Sequence, residues 1–144
     1  MEKKYRLTDE TMMLPDGTRL HRIMALRDFG DVQAGDLGGF VEKEANLSHK
    51  GGARVCGDAE VSGDAEVKTN DDLCLFTYFG SKNRPTTAFK TKDGGINVKC
   101  GCFQGTLQQF REKVKETHGT NDYAVEYLMI ADLIEHKLAG RKKT

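Results

Sequence analysis

The 144-residue chain has no apolar run long enough to span a membrane, and its charged start, MEKKYR, is not followed by the apolar segment of a secretory signal. The expectation is a cytoplasmic protein with no membrane partner. Net charge is absent as well, since 22 basic residues balance 22 acidic ones. Residues 1–70 hold 10 basic and 13 acidic side chains and residues 71–144 hold 12 and 9, too small an asymmetry for the dense basic patch of a nucleic-acid binder. Nucleic acid is therefore not expected as a partner, and the tail Arg141-Lys142-Lys143 reads as a solvated terminus. Two chemical motifs are missing: there is no Cys-x-x-Cys knuckle and no glycine-rich phosphate loop. The four cysteines, at 56, 74, 100 and 102, are expected to be reduced thiols or metal ligands and not a disulfide framework.

What is present is a short period. Residues 51–68 read GGARVC-GDAEVS-GDAEVK, with Gly at 51, 57 and 63, Ala at 53, 59 and 65, and Val at 55, 61 and 67. Ala and Val lie two residues apart and share one side of an extended segment, while the polar residues between them face the other side. Glycine at each start permits a sharp corner. Three sides and three corners predict one triangular coil of a hexapeptide-repeat parallel β-helix. One clean coil is too few to be stable alone, so degenerate coils, another domain or a second copy of the chain must cover its ends, and a homo-oligomer is expected.

Before the repeat, residues 5–11 and 18–26 alternate around Leu14-Pro15-Asp16-Gly17, which predicts a hairpin. Gly-rich segments over 28–41 read as degenerate coils, and Ala45 and Leu47 echo the Ala-x-Val spacing. After Lys68 the period stops. Residues 73–79, 86–91 and 96–103 are apolar runs separated by turn residues, predicting a three-stranded antiparallel meander. Two helices follow. The first is capped by Thr106 with Gln109 at the capping-box position and stopped by Gly119; the second starts near Asn121 or Asp122 and ends before Gly140. The predicted fold class is thus α+β, a truncated β-helix with a hairpin over residues 1–70 and a meander with two helices over 71–144.

Two resemblances accompany this reading. Lys4-Tyr5-Arg6-Leu7-Thr8, Asp16-Gly17-Thr18, Arg22-Ile23, Ala25-Leu26, Asp28-Phe29, Asp31-Val32 and the run Gly35 to Glu42 resemble the start of bacterial and prophage hexapeptide-repeat proteins labelled as transferases. That resemblance implies a left-handed β-helix. Gly80-Ser81, Asn83, Thr86-Thr87, Cys100 to Phe103, Gly105 to Leu107, Thr117 to Gly119, Tyr123-Ala124 and Glu126-Tyr127 resemble a small domain of phage and prophage proteins with no assigned function. This second resemblance implies an origin in a mobile element and a bacterial host's cytoplasm.

Two candidate sites emerge. Cys74, Cys100, Cys102 and His118 supply the donor types of a structural zinc site, with Cys100 and Cys102 expected on one face of a strand. Small buried hydrophobes are the alternative for these cysteines. Ser81, Lys82, Asn83, Arg84, Thr86 and Thr87, together with the helix start at Gly105-Thr106, supply donors for a small anionic ligand such as a phosphate or nucleotide. His21 and His49 match no acyltransferase motif. The reading is therefore a non-enzymatic phage or prophage accessory protein that counters host defence, binding a host protein or sequestering a small anionic signalling ligand. The alternatives are an acyl- or nucleotidyl-transferase of the hexapeptide-repeat kind and a self-assembling scaffold.

Overall fold

The computed structural model describes residues 2–141; Lys142 and Lys143 of the basic tail lie outside them. Strands β1 (Tyr5–Met13) and β2 (Arg19–Ala25) form the expected hairpin. Its turn is closed by Leu14 N–H to Thr18 O at 2.8 Å and by Thr18 N–H to the Asp16 carboxylate at 2.9 Å. Strand β3 (Leu37–Val41) pairs antiparallel with β2, and the two-residue β4 (Glu60–Val61) pairs parallel with β3. The first sheet runs β1-β2-β3-β4.

The expected left-handed parallel β-helix does not form. Among the described residues, parallel pairing is limited to Phe40 with Glu60, Val41 with Val61 and a single bridge from Leu47 to Val67, all at an offset of 20 residues. A solenoid grows only if each coil meets another coil on its open side. Here the antiparallel hairpin β1-β2 continues the sheet beyond β3, and on the far side Ala65 bridges antiparallel to Thr91. The six-residue period nevertheless marks what is buried: Ala53, Val55, Ala59, Val61, Ala65 and Val67 are all inside the first core, with Tyr5, Ile23, Val41 and Leu47. The corner glycines 51, 57 and 63 sit at φ of 73°, 58° and 62°, a region that side chains disfavour.

A second sheet follows, β5 (Leu73–Phe76), β6 (Thr86–Lys90), β7 (Ile96–Cys100) and β8 (Phe103–Thr106), antiparallel throughout. It has four strands where three were expected, because the predicted third strand folds back on itself at Gly101-Cys102, with Gly101 at φ 58°. Helix α1 (Leu107–His118) starts at Thr106, whose hydroxyl accepts the Gln109 N–H at 3.1 Å while the Gln109 side chain accepts the Thr106 N–H at 2.9 Å. Helix α2 (Asp122–Glu135) is capped by Asn121 and continues as a π-helical turn, His136–Gly140. Phe110 and Val114 of α1 pack with Ala124, Tyr127, Ile130, Ala131 and Ile134 of α2 over Ala88 and Val98. Arg111 ties the helices on their outer side, to Asp132 at 2.9 Å and Glu135 at 3.0 Å.

Strand β6 lies between the two cores. Ala88 belongs to the one under the helices and Phe89, next in sequence, to the one built from the repeat, as the period of two along a strand requires. Polar links cross the same junction: Glu60 N–H to the Thr87 hydroxyl at 3.1 Å, Gln104 to Ser62 at 2.9 Å, and a buried ion pair of Glu60 with Lys99 at 3.6 Å. Among the described residues no helix is long and apolar enough to cross a membrane.

Candidate functional site

The eight residues expected to hold an anion fall into three groups. Thr86 and Thr87 lie in β6 and are about 1% exposed. The Thr86 hydroxyl donates to the Cys100 sulfur at 3.2 Å, and the Thr87 hydroxyl accepts the Glu60 N–H. Gly105 and Thr106 stand at the end of β8, where Thr106 pairs with Asn97, and the N–H groups of Thr106 and Gln109 are taken by the capping box. Ser81, Lys82, Asn83 and Arg84 are exposed in the loop before β6, which enters the sheet at Thr86 opposite Cys100. Asn97 and Cys100 are three residues apart on β7, about 10 Å of strand. The loop and the helix start therefore sit at opposite ends of the sheet, and the expected anion site is not assembled as a unit.

The expected zinc ligands separate as well. Cys74 is buried in β5, where burial pushes its thiol pKa up while Lys137 and Arg141 pull it back. Cys102 is exposed in the β7-β8 turn, so it does not share a strand face with Cys100, because Gly101 turns the chain between them. Among the described residues no group of three or more His, Cys, Asp and Glu side chains is placed to hold a metal ion.

Ser81 of the first set and Cys100 and His118 of the second nevertheless meet around a core residue of α2. Tyr127 of α2 is largely buried, and its hydroxyl is reached by Ser81 from the loop and by the Cys100 thiol from β7. Burial raises its pKa, the neighbouring Cys100 adds to the rise, and Ser81 opposes it. The hydroxyl stays protonated at neutral pH and is a hydrogen-bond donor. His118, the last residue of α1, stacks on the Tyr127 ring with centroids 5.5 Å apart and an interplanar angle of 24°. Phe110 meets the same ring edge-on at 6.0 Å, Phe103 meets Phe110 at 5.7 Å, and Tyr123 meets His118 at 5.9 Å. Five rings thus run from the core to the surface. They open on a cavity of about 130 Å³ lined also by Cys100, Lys113 and Thr117.

The loop is fixed to this site by Gly80. Its N–H donates to the Glu126 carboxylate at 2.9 Å, and a Cβ at this position would fall 2.0 Å from the Tyr127 hydroxyl. No other residue fits there without displacing the ring. On the far side of the loop, Arg84 lies over the β7-β8 turn, within 2.9 Å of where a Gly101 side chain would start.

A second cleft, about 140 Å³, lies between β2, β3 and the Phe29 loop, with Asp31, Asp36 and Arg54 among its lining. Beside it Lys4 is completely buried, its ammonium donating to Ala53 O at 2.6 Å and standing 4.4 Å from the Phe29 ring centroid. Burial first, and Arg27 second, lower its pKa to about 8. These contacts hold the 51–53 corner against β1, which accounts for the lysine structurally. His49 is committed in the same region: its Nδ1 accepts the Lys4 N–H at 3.0 Å, its Nε2 lies 3.0 Å from Glu44, and its ring stacks on Tyr5 at 4.2 Å.

Sequence reasoning named Ser81, Arg84, Cys100 and His118 but left Tyr127 and Lys113 out of the site. Tyr127 stands out in the sequence only within the Glu126-Tyr127 pair of the second resemblance, which carries no site assignment, and is otherwise one more apolar residue of α2. No protein-family model matches the chain, and comparison with curated proteins yields no match either, so its function is argued from this site.

Proposed function

We propose that the chain is a non-enzymatic binding protein that takes a small aromatic anion, of the nucleotide class, in the pocket beside Tyr127. The observation that carries this reading is the His118–Tyr127 stack opening on a 130 Å³ cavity with Lys113 at its edge. A cavity of ~150 Å³ admits one benzene ring, so this one, open to the surface, takes the six-membered ring of one base and leaves the remainder of a purine at its mouth, with aromatic walls for the π-face. Lys82 and Arg84, exposed on the loop, supply charge for a phosphate together with Lys113, whose exposed pair with Glu116 at 3.7 Å is loose, and the protonated Tyr127 hydroxyl supplies a donor. The wider role, a phage or prophage accessory protein that sequesters such a ligand from a host defence pathway, rests on the resemblance of both halves to phage proteins. The transferase alternative gains no support from its imidazoles, since His49 is committed as described and His21 contacts Thr8 O at 3.2 Å.

Isothermal titration of the full chain tests this with adenosine 5′-monophosphate, adenosine and inorganic phosphate. The nucleotide should bind at least ~10-fold more tightly than either part, with His118→Ala and Lys113→Ala each weakening it. No heat and no chemical-shift change at millimolar nucleotide would refute the reading.

A further inference from the structure

The loop that carries Ser81 is built more expensively than a connection needs to be. Tyr78 sits at φ 66° and Asn83 at φ 52°, the two non-glycine residues with positive φ among those described, and they bound one six-residue stretch. For tyrosine this backbone region is disfavoured, and strain of this kind gathers at ligand sites. Packing does not compensate for it: Tyr78 is 82% exposed and the adjacent Phe79 47%. The loop is nevertheless held in place, since Gly80 is clamped between Glu126 and Tyr127. A rigid loop thus presents an aromatic face to solvent next to the pocket.

Charge around it is one-sided. Residues 73–115 contain eight lysines and arginines against two acids, Asp93 and Glu112, although the whole chain is neutral. Of these cations, Lys92, Lys99, Arg111 and Lys113 stand in ion pairs, whereas Lys82 and Arg84 on the loop are exposed and carry no ion pair with any described residue. Glu126, the acid beside the loop, already accepts the Gly80 N–H.

We propose that the ligand of this site carries at least two nucleobases joined by a phosphodiester, one ring entering the Tyr127 pocket, the second stacking on Tyr78, and the phosphate lying over Lys82 and Arg84. This rests on the pocket reading above and extends it. The pocket has room for one ring, so a second base must find its platform outside, and an exposed aromatic beside cations is the arrangement that binds successive bases of a single strand.

The experiment titrates the full chain with adenosine 5′-monophosphate and with linear di- and tri-adenylate at 50 and 200 mM salt. Diadenylate should bind roughly 5- to 30-fold more tightly than the mononucleotide, the range expected for one stacked base. Its salt slope should be steeper by about 0.7 for the added phosphate contact. Tyr78→Ala should reduce diadenylate to the affinity of the mononucleotide and leave the latter unchanged, and Tyr78→Phe should keep the preference. Tyr78→Gly should lose the preference while raising thermal stability, which a purely structural tyrosine would not do. Equal affinity for both ligands, or equal weakening of both by Tyr78→Ala, overturns the two-base inference and leaves the pocket reading standing. If neither ligand binds, both readings fall.

Discussion

Replacing Lys99 by methionine removes the charge that holds Glu60 inside the junction of the two cores, together with the ammonium's hydrogen bond to Gly101 O. The side chains are 4% and 16% exposed and 3.6 Å apart. At that distance and an effective dielectric of ~20 their attraction is ~5 kcal/mol, a gain that desolvation of both ions largely cancels. The pair as a whole therefore adds little, but breaking it leaves a carboxylate buried and uncompensated, at a cost of about 3–5 kcal/mol. The lower end applies here, because Glu60 can escape by taking up a proton. Burial already raises its pKa, Lys99 being the main influence that lowers it. For a chain of this length ~3 kcal/mol corresponds to a fall in Tm of roughly 10 °C.

The sign of the pH dependence follows. A carboxyl whose folded pKa lies above its unfolded value binds more protons when folded, so its contribution to stability is greatest in acid and falls as pH rises through the folded pKa. Without Lys99 the folded value moves further up, so Lys99→Met should lose more stability at pH 8 than at pH 5. Urea denaturation followed by circular dichroism at the two pH values measures this. The double variant Glu60→Met, Lys99→Met should recover most of the loss. A single-variant cost below ~1 kcal/mol, or a double variant as unstable as the sum of the singles, would refute the reasoning.

Three further outcomes are expected. Between pH 8 and 10 stability should rise with a slope of at most about 1.4 kcal/mol per unit, because Lys4, lowered to about 8, sheds its proton more readily when folded; Lys4→Met should flatten that rise in denaturant titrations. Thr106→Ala removes the hydroxyl that accepts the Gln109 N–H and should cost ~1 kcal/mol in the same assay. Gly80→Ala forces a Cβ onto the Tyr127 hydroxyl at φ 82° and should both destabilise by ~2 kcal/mol or more and shift the Tyr127 ring resonances.

What the sequence reveals depends on how local the cause is. The caps at Thr106 and Asn121 are legible because donor and acceptor lie three residues apart. Burial of the Ala and Val positions in the repeat is legible because alternation is a property of the strand itself. Which strand they pair with is not: the parallel offset of 20 residues, the added hairpin and the bridge from Ala65 to Thr91 are set by the whole fold. Cys100-Gly101-Cys102 reads as a continuous strand until the turn at Gly101 is known, and with that turn both the zinc set and the strand count change. Ser81 and Thr106 look like parts of one site because both offer donors, but an antiparallel sheet sends them to opposite ends. Whole-chain neutrality likewise conceals the basic stretch from 73 to 115.

The clamp at Gly80 leaves no clearance between the loop and α2. Anything that turns the Tyr127 ring must shift the Gly80 backbone, and a shift there is passed on two residues away to Tyr78. Loop and helix are thereby one mechanical body at this point, and neither the Tyr127 ring nor the Gly80 backbone can settle into a new position without the other.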